Sequence, residues 1–218
     1  MQQGGSGGIR VLLPRTFSVK IAAPLLAEFA KIYPELKVEV QVDDREACLE
    51  GGGFDIAVRV GHLADSTLIA RSIGHNRMWV CASPAYLALR SAPDSPKQFE
   101  LHDCLLHSGA GAVGGWTMQH NGHAHLFRTH ERIRSACYFQ LLEAAKAGLG
   151  LAYLPGYLIQ DAVLAGDLKV LLADAAPPPQ PISLVYPASR KMSPKVMALV
   201  TFLAQRIPSS PDLVSFSP

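Results

Sequence analysis

Gly53-Phe54-Asp55-Ile56-Ala57-Val58-Arg59-Val60-Gly61, followed after His62-Leu63-Ala64 by Asp65-Ser66-Thr67-Leu68-Ile69-Ala70-Arg71, is the stretch that decides how this chain folds. Two short β-type runs are separated by a glycine and a few polar residues. Side chains alternate along a strand, so Phe54, Ile56, Val58 and Val60 fall on one face and Asp55, Ala57 and Arg59 on the other. Arg59 therefore stands near the strand's carboxyl end, the edge at which open α/β sheets hold their ligands.

Working back from Gly53, the triplet Gly51–Gly53 ends a short helix over 45–50 that Asp43 or Asp44 can cap. Leu36 to Val42 alternates apolar and polar residues as a strand. Before it, Ser18 can cap a helix whose Leu25, Leu26, Phe29, Ile32 and Tyr33 recur at helical spacing. Pro24 implies an irregular first turn and Pro34 a stop. Ile9–Pro14 is a short apolar strand. The order is βαβαβ, which predicts a largely parallel sheet.

Forward of the quoted stretch, Arg77–Ser83 reads as a strand, with Ser83 and Pro84 as N-cap and first helical residue of the next helix. Residues 91–135 are less regular and include a glycine-rich loop (Gly109–Gly115) and a hairpin turning at Asn121-Gly122. Tyr138–Ala147 is a helix with Tyr138, Leu141, Leu142 and Ala145 on one face. Gly148 closes it before the strand Leu149–Pro155. Ile182–Tyr186 is a late strand, and Ser193-Pro194 starts a final helix bearing Val196, Leu199, Val200, Phe202 and Leu203.

Composition bounds the function. The 218 residues are 49% hydrophobic and 17% charged with a formal net charge of +2, an ordinary globular balance with room for a sizeable core. No Lys/Arg cluster makes a nucleic-acid surface, and no apolar run approaches the ~20 residues of a membrane span. Met1-Gln-Gln-Gly-Gly-Ser-Gly-Gly8 is a flexible lead-in without a secretory core, so a cytoplasmic location is expected. Cys48, Cys81, Cys104 and Cys137 form no C-x-x-C pair and read as reduced core residues, with a redox pair left open by possible contact in the fold.

The quoted stretch resembles a recurring signature of the effector-binding domain of LysR-type transcriptional regulators. Further landmarks follow in the family's order: Glu28-Phe29 with Tyr33-Pro34, Ala82-Ser-Pro-Ala-Tyr-Leu87, His102-Asp-Cys104, Ala147-Gly-Leu-Gly150 with Leu154-Pro155, and Tyr186-Pro187 with Lys191 and Pro194-Lys-Val196. The resemblance covers roughly residues 9 to 207. It implies an α/β chain of type-2 periplasmic-binding-protein fold. Two Rossmann-like lobes would be joined by crossing strands near Cys81–Ser83 and Leu184–Pro187, with an effector cleft between them. Lobe I would comprise 9–81 and 187–207 and lobe II 82–186, between the 1–8 lead-in and a loose 208–218 tail. It further implies a homodimer made by the first helix, the second strand and the helix over 139–147, and a tetramer for the full-length regulator. DNA contact would belong to a helix-turn-helix part expected outside the given chain. The alternative of the same fold is a solute-binding protein of a transporter.

Strand-end positions name the expected effector-binding residues. They are Arg15, Thr16, Phe17, Ser18, Asp43, Arg59, Val60 and Gly61 in the first lobe, Ser83 at the crossing strand, and Ala136, Cys137, Tyr138, Leu154 and Pro155 in the second. Helix N-termini meeting strand ends favour a carboxylate or another small anion. Each has a plainer role: Thr16 and Ser18 as caps, Arg59 as a structural partner of Asp55 or Asp43, and Ser83 as a cap that could also donate to a ligand. The resemblance implies that the family's subgroup usually carries an Asn-Asp or similar polar pair at Ala136-Cys137. The smaller wall here, followed by Tyr138 and Phe139, points to an organic or aromatic acid.

His120, His123 and His125 would share one side of the hairpin, but with no carboxylate or thiol beside them no metal is assigned, and no cofactor. No G-x-S-x-G, H-E-x-x-H or phosphate-binding glycine loop occurs, so no enzyme is expected. The expected function is ligand sensing for transcriptional control.

Overall fold

β1 (Ile9–Leu13) begins a sheet in a computed structural model that describes residues 8–44, 53–63, 67–109 and 114–207. Ile9, Val11, Leu12 and Leu13 are all buried and only Arg10 is exposed, the pattern of a strand covered on both faces. The helical segment after it runs in three parts: α1 (Arg15–Phe17), a π-helical stretch Ser18–Ala22, and α2 (Ala23–Ile32). Pro24 accounts for the wide turn. A proline lacks the N–H and its ring clashes with the carbonyl four residues back, and the π-helical stretch ahead of it relieves both problems. Ala23 N–H accordingly reaches Ser18 O. The helix starts at Arg15 rather than Ser18. Pro14 holds the N-cap place, and Ser18 lies inside the helix with its N–H donating to Pro14 O at 2.8 Å.

Phe29 is the buried anchor of α2, 4.7 Å from the Tyr33 ring and 5.4 Å from the Phe202 ring. β2 (Val38–Val42) and β3 (Ile56–Val60) both pair parallel to β1, with Ile9 beside Val38 and Val11 beside Ile56. Ile56, Ala57 and Val58 are all fully buried, so β3 is covered on both faces and the expected alternation survives only at its end. β4 (Leu68–Asn76) then leads to β5 (Met78–Ala82) and α3 (Pro84–Leu89).

The middle of the chain continues with β6 (Asp103–His107), β7 (Gly115–His120), β8 (His123–Arg128) and β9 (His130–Ser135). After these come α4 (Tyr138–Lys146), β10 (Leu151–Pro155), α5 (Gly156–Leu164) and β11 (Lys169–Leu171). β12 (Gln180–Pro187) and α6 (Pro194–Arg206) close the described chain. The hairpin turn is where the sequence predicts it: Asn121 and Gly122 both have positive φ, 52° and 78°, as a two-residue primed turn requires. Gly148 (φ 79°) ends α4, with Leu149 N–H returning to Ala144 O.

Two five-stranded sheets result, ordered β2-β1-β3-β12-β4 and β11-β5-β10-β6-β9. Each has a parallel part, as expected, but β12 runs antiparallel to β3, and β5 runs antiparallel to β10 and β11. The chain accordingly divides into two compact units, one through His75 and again from Gln180, the other Asn76–Pro179. Those divisions precede the expected 81/82 and 186/187. β5 pairs along its length within the second sheet and β12 within the first, so each strand belongs with its hydrogen-bonded partners. The second unit centres on Val80, Tyr86, Phe99, Leu106, Trp116, Met118 and Leu151. No helix among the described residues is long and apolar enough to cross a membrane. The helix expected over 45–50, Cys48, Asp65 and Ser66 of the quoted stretch, loop positions 110–113, residues 1–7 and the tail from 208 lie outside the described residues.

Candidate functional site

Parallel pairing of β1 with β2 and β3 puts three carboxyl ends on one edge of the first unit. Asp43 N–H donates to Leu13 O at 3.1 Å, and Arg15 N–H donates to Asp44 Oδ1 at 2.7 Å. Arg15 Nε also lies 3.5 Å from Asp44 Oδ2. The expected Arg15–Ser18 and Asp43 positions are thus brought together. Asp44 carries a role the sequence reserved for another helix: its carboxylate takes the first N–H of α1 and sits where a ligand anion was expected. Thr16 is 5% exposed, Ser18 half-buried, and Phe17 wholly buried, so the Phe17 side chain is core.

Arg59 and Val60 are half-buried at the end of β3, and Arg59 Nη1 donates to Val58 O at 3.5 Å. Asp55 does not hold Arg59. Its Oδ2 accepts Arg10 N–H at 2.8 Å and its Oδ1 pairs with Arg190 Nε at 3.0 Å. This buried acid locks β3 to β1 and to the segment after β12, a role invisible in the sequence because Arg190 is so distant along the chain. Gly61 has φ 109°, which favours glycine, and its N–H donates to Pro181 O at 2.9 Å.

In the second unit β6, β9 and β10 are parallel and end on one edge, with His107 beside Ser135. Ser135 Oγ accepts Cys137 N–H at 3.0 Å and donates to Gln140 Oε1, turning the chain from β9 into α4. Ala136 is exposed, while Cys137 and Tyr138 are half-buried. His107 is the residue the sequence did not single out. Its ring stacks on Tyr138 with centroids 3.9 Å apart, Nδ1 accepts Gly109 N–H at 3.0 Å, and Nε2 lies 3.1 Å from Ala136 O. An amide only donates and a carbonyl only accepts, so the imidazole is neutral with its hydrogen on Nε2. Leu154 and Pro155 are buried. The N–H of Gly156 after them is taken by Arg77 O at 2.8 Å and by the buried Asn76 Oδ1 at 3.2 Å.

Ser83 caps α3, its Oγ accepting Tyr86 N–H at 3.3 Å, and it is 2% exposed. Cys81 and Cys104 are buried, and burial pushes both thiols up to about 12, which keeps them protonated and unreactive. Cys81, Cys104 and Cys137 are free thiols. The first unit thus presents Arg15, paired with Asp44, and Arg59 at its strand ends, and the second presents the His107–Tyr138 stack.

Residues 2–208 match the family described as the LysR substrate binding domain. A transcriptional regulator of the helix-turn-helix type from Haemophilus influenzae is 33% identical over 88% of this chain and 67% of its own length. The regulator YhjC of Escherichia coli is 31% identical over 91% of this chain and 67% of its own. The chain thus spans about two thirds of these relatives, which are regulators and not enzymes. Among solved structures, the regulatory domain of CrgA from Neisseria meningitidis superposes with a TM-score of 0.83 at 25% identity, covering 93% of this chain and all of that one. The chain belongs to the LysR substrate-binding domain family, the effector-binding domain of LysR-type transcriptional regulators, and has its type-2 periplasmic-binding-protein fold.

Proposed function

We propose that this domain senses a small organic or aromatic acid and, by binding it, alters transcription through a DNA-binding part of a longer regulator. The observation that carries the proposal is the set of strand ends within each unit. Thr16, Ser18, Arg59, Val60 and Gly61 are offered by the first unit, and Ala136, Cys137 and Tyr138 by the second. The family resemblance supplies the cleft to which both sets would contribute. The stacked His107–Tyr138 pair favours a flat, partly apolar ligand over a sugar or a free amino acid, because aromatic faces reward offset stacking. Asp44 opposes a carboxylate at the α1 terminus, so the ligand's charge falls to Arg59 and the remaining backbone donors.

Pairing of two copies through α2, β2 and α4 is supported by apolar exposure on the first unit: Ile32 at 50%, Val40 at 40% and Val42 at 38%. A regulator of this kind works in the cytoplasm, where its DNA is. A thermal-shift series of aliphatic and aromatic acids tests the sensing role, since a ligand that binds only the folded state raises its apparent stability. Hits are expected among aromatic acids, weakened by Arg59→Ala and Thr16→Ala and strengthened by Asp44→Asn. Shifts confined to uncharged or cationic compounds, or hits indifferent to Arg59 and Thr16, refute the assignment.

A further inference from the structure

We propose that the tip of the β7–β8 hairpin is a binding site for a borderline transition-metal ion, formed by His120, His123 and His125. The register expected from the two-residue turn is the one the ribbon adopts. In the structure His120 pairs directly with His123 across the Asn121-Gly122 turn, and Met118 pairs with His125. Cross-strand partners point to the same face and so do residues two apart on a strand, so all three imidazoles project from one side of the ribbon. His120–His125 and His123–His125 ring centroids are 6.0 and 6.5 Å apart.

A tetrahedral zinc ion with bonds of about 2 Å to imidazole nitrogens holds ring centroids about 5 Å apart. As the rings stand, no three His, Cys, Asp or Glu side chains among the described residues are set for a metal. For the two pairs that include His125, the distance still to close is about 1 Å each by that geometry. His125 is exposed and can rotate inward without displacing core atoms, while His123, also exposed, is held by its own turn. Phe127, 5.8 Å from the His120 ring and 6.4 Å from the His125 ring, forms an apolar floor beneath both.

His123 carries the second observation. Its Nδ1 lies 2.9 Å from Asn121 O, a carbonyl that can only accept, so Nδ1 bears the hydrogen and the Nε2 lone pair is left outward. Metal-bound histidines usually hold their other nitrogen in this way, with a backbone carbonyl setting tautomer and ring direction. Three imidazoles without thiolate or carboxylate suit Zn²⁺, Cu²⁺ or Ni²⁺ and not Mg²⁺ or Ca²⁺. The fourth position is left to water. By contrast, His102 is buried against Tyr86 and His107 is held at both nitrogens.

Calorimetric titration of the whole chain with ZnCl₂ in a non-chelating buffer is the test. One equivalent is expected to bind, with affinity falling about tenfold or more in each of His120→Ala, His123→Ala and His125→Ala. Mg²⁺ should give no heat, and binding should weaken as the pH is lowered, because protonated imidazoles do not ligate. His75→Ala and His130→Ala are controls expected to bind as the parent does, and circular dichroism verifies that the hairpin variants remain folded. In long-range ¹H–¹⁵N spectra the His123 Nε2 resonance should move on zinc addition while Nδ1 keeps its hydrogen. Unchanged stoichiometry and affinity in the His120→Ala/His125→Ala double variant, or loss of binding only in thiol variants, overturns the proposal. These readouts are independent of any organic effector.

Discussion

His107 lies flat on Tyr138, ring planes 8° from parallel, where β6 and β9 end side by side. The stack ties the Ala136–Tyr138 wall to the strand beside it. His107→Ala removes the stack and both ring hydrogen bonds. The stack is worth ~1 kcal/mol and each bond a similar amount, and the site is partly wet, so a net loss of about 1–2 kcal/mol is expected in urea unfolding. No loss would mean the pair contributes nothing to the wall's rigidity.

Asp55 is 5% exposed and anchors both the Arg10 amide and Arg190. Asp55→Ala should destabilise the fold by about 3 kcal/mol, since a buried amide loses its acceptor and a cation its partner. Arg190→Ala should cost less, because Arg190 is partly exposed while the Arg10 bond remains. Equal effects from the two variants would show that the ion pair, not the backbone bond, dominates.

Gly150 is required by a close approach between strands. A Cβ there would lie 2.3 Å from Asp103 O, on the strand next to β10. Gly150→Ala must push β10 from β6, with an expected loss of about 3 kcal/mol. Gly166→Ala, where a Cβ meets nothing within 4 Å but φ is 79°, should lose only about 1 kcal/mol. Thermal melts of the two variants should separate clearly, and coincident melting temperatures would remove the steric explanation.

His102 is 6% exposed and bonded through Nδ1 to Tyr86 Oη at 3.1 Å, while that oxygen accepts Asp103 N–H. Burial, and then the Arg90 charge, hold the imidazole below its ordinary 6.5, against a partial opposing pull from Asp103. The folded state therefore disfavours the protonated ring. The resulting stability is present above about pH 6.5 and is lost as pH falls below it, because the unfolded chain takes up the proton first. The urea midpoint should decline on acidification through that range, and His102→Gln should flatten the decline. An unaltered slope would place the acid sensitivity elsewhere.

Much of the frame was legible in local chemistry. Helical spacing in Ala23–Tyr33, the Ser83-Pro84 cap, the Asn121-Gly122 turn and the Gly148 stop each depend on residues within a few positions of one another, and each stands where expected. The misreadings came from distance along the chain. Ser18 looked like a cap because nothing local reveals that Asp44, from the end of β2, meets the helix N-terminus at Arg15. Of the two acids read as possible partners of Arg59, Asp55 instead holds Arg190, 135 positions away. His107 drew no notice, since a lone histidine at a strand end has no signature until Tyr138 packs on it.

The sequence by itself determined the elements around the quoted stretch and the strand ends at which a ligand is sought, because capping, turn chemistry and hydrophobic period are short-range effects, and its motifs carried the family. Tertiary structure alone decided which sheet β5 and β12 join, which carboxylate takes which amide, and which tautomer His107 and His123 adopt. Those are matters of register and of partners brought together from far along the chain, and only the completed pairing of strands sets them.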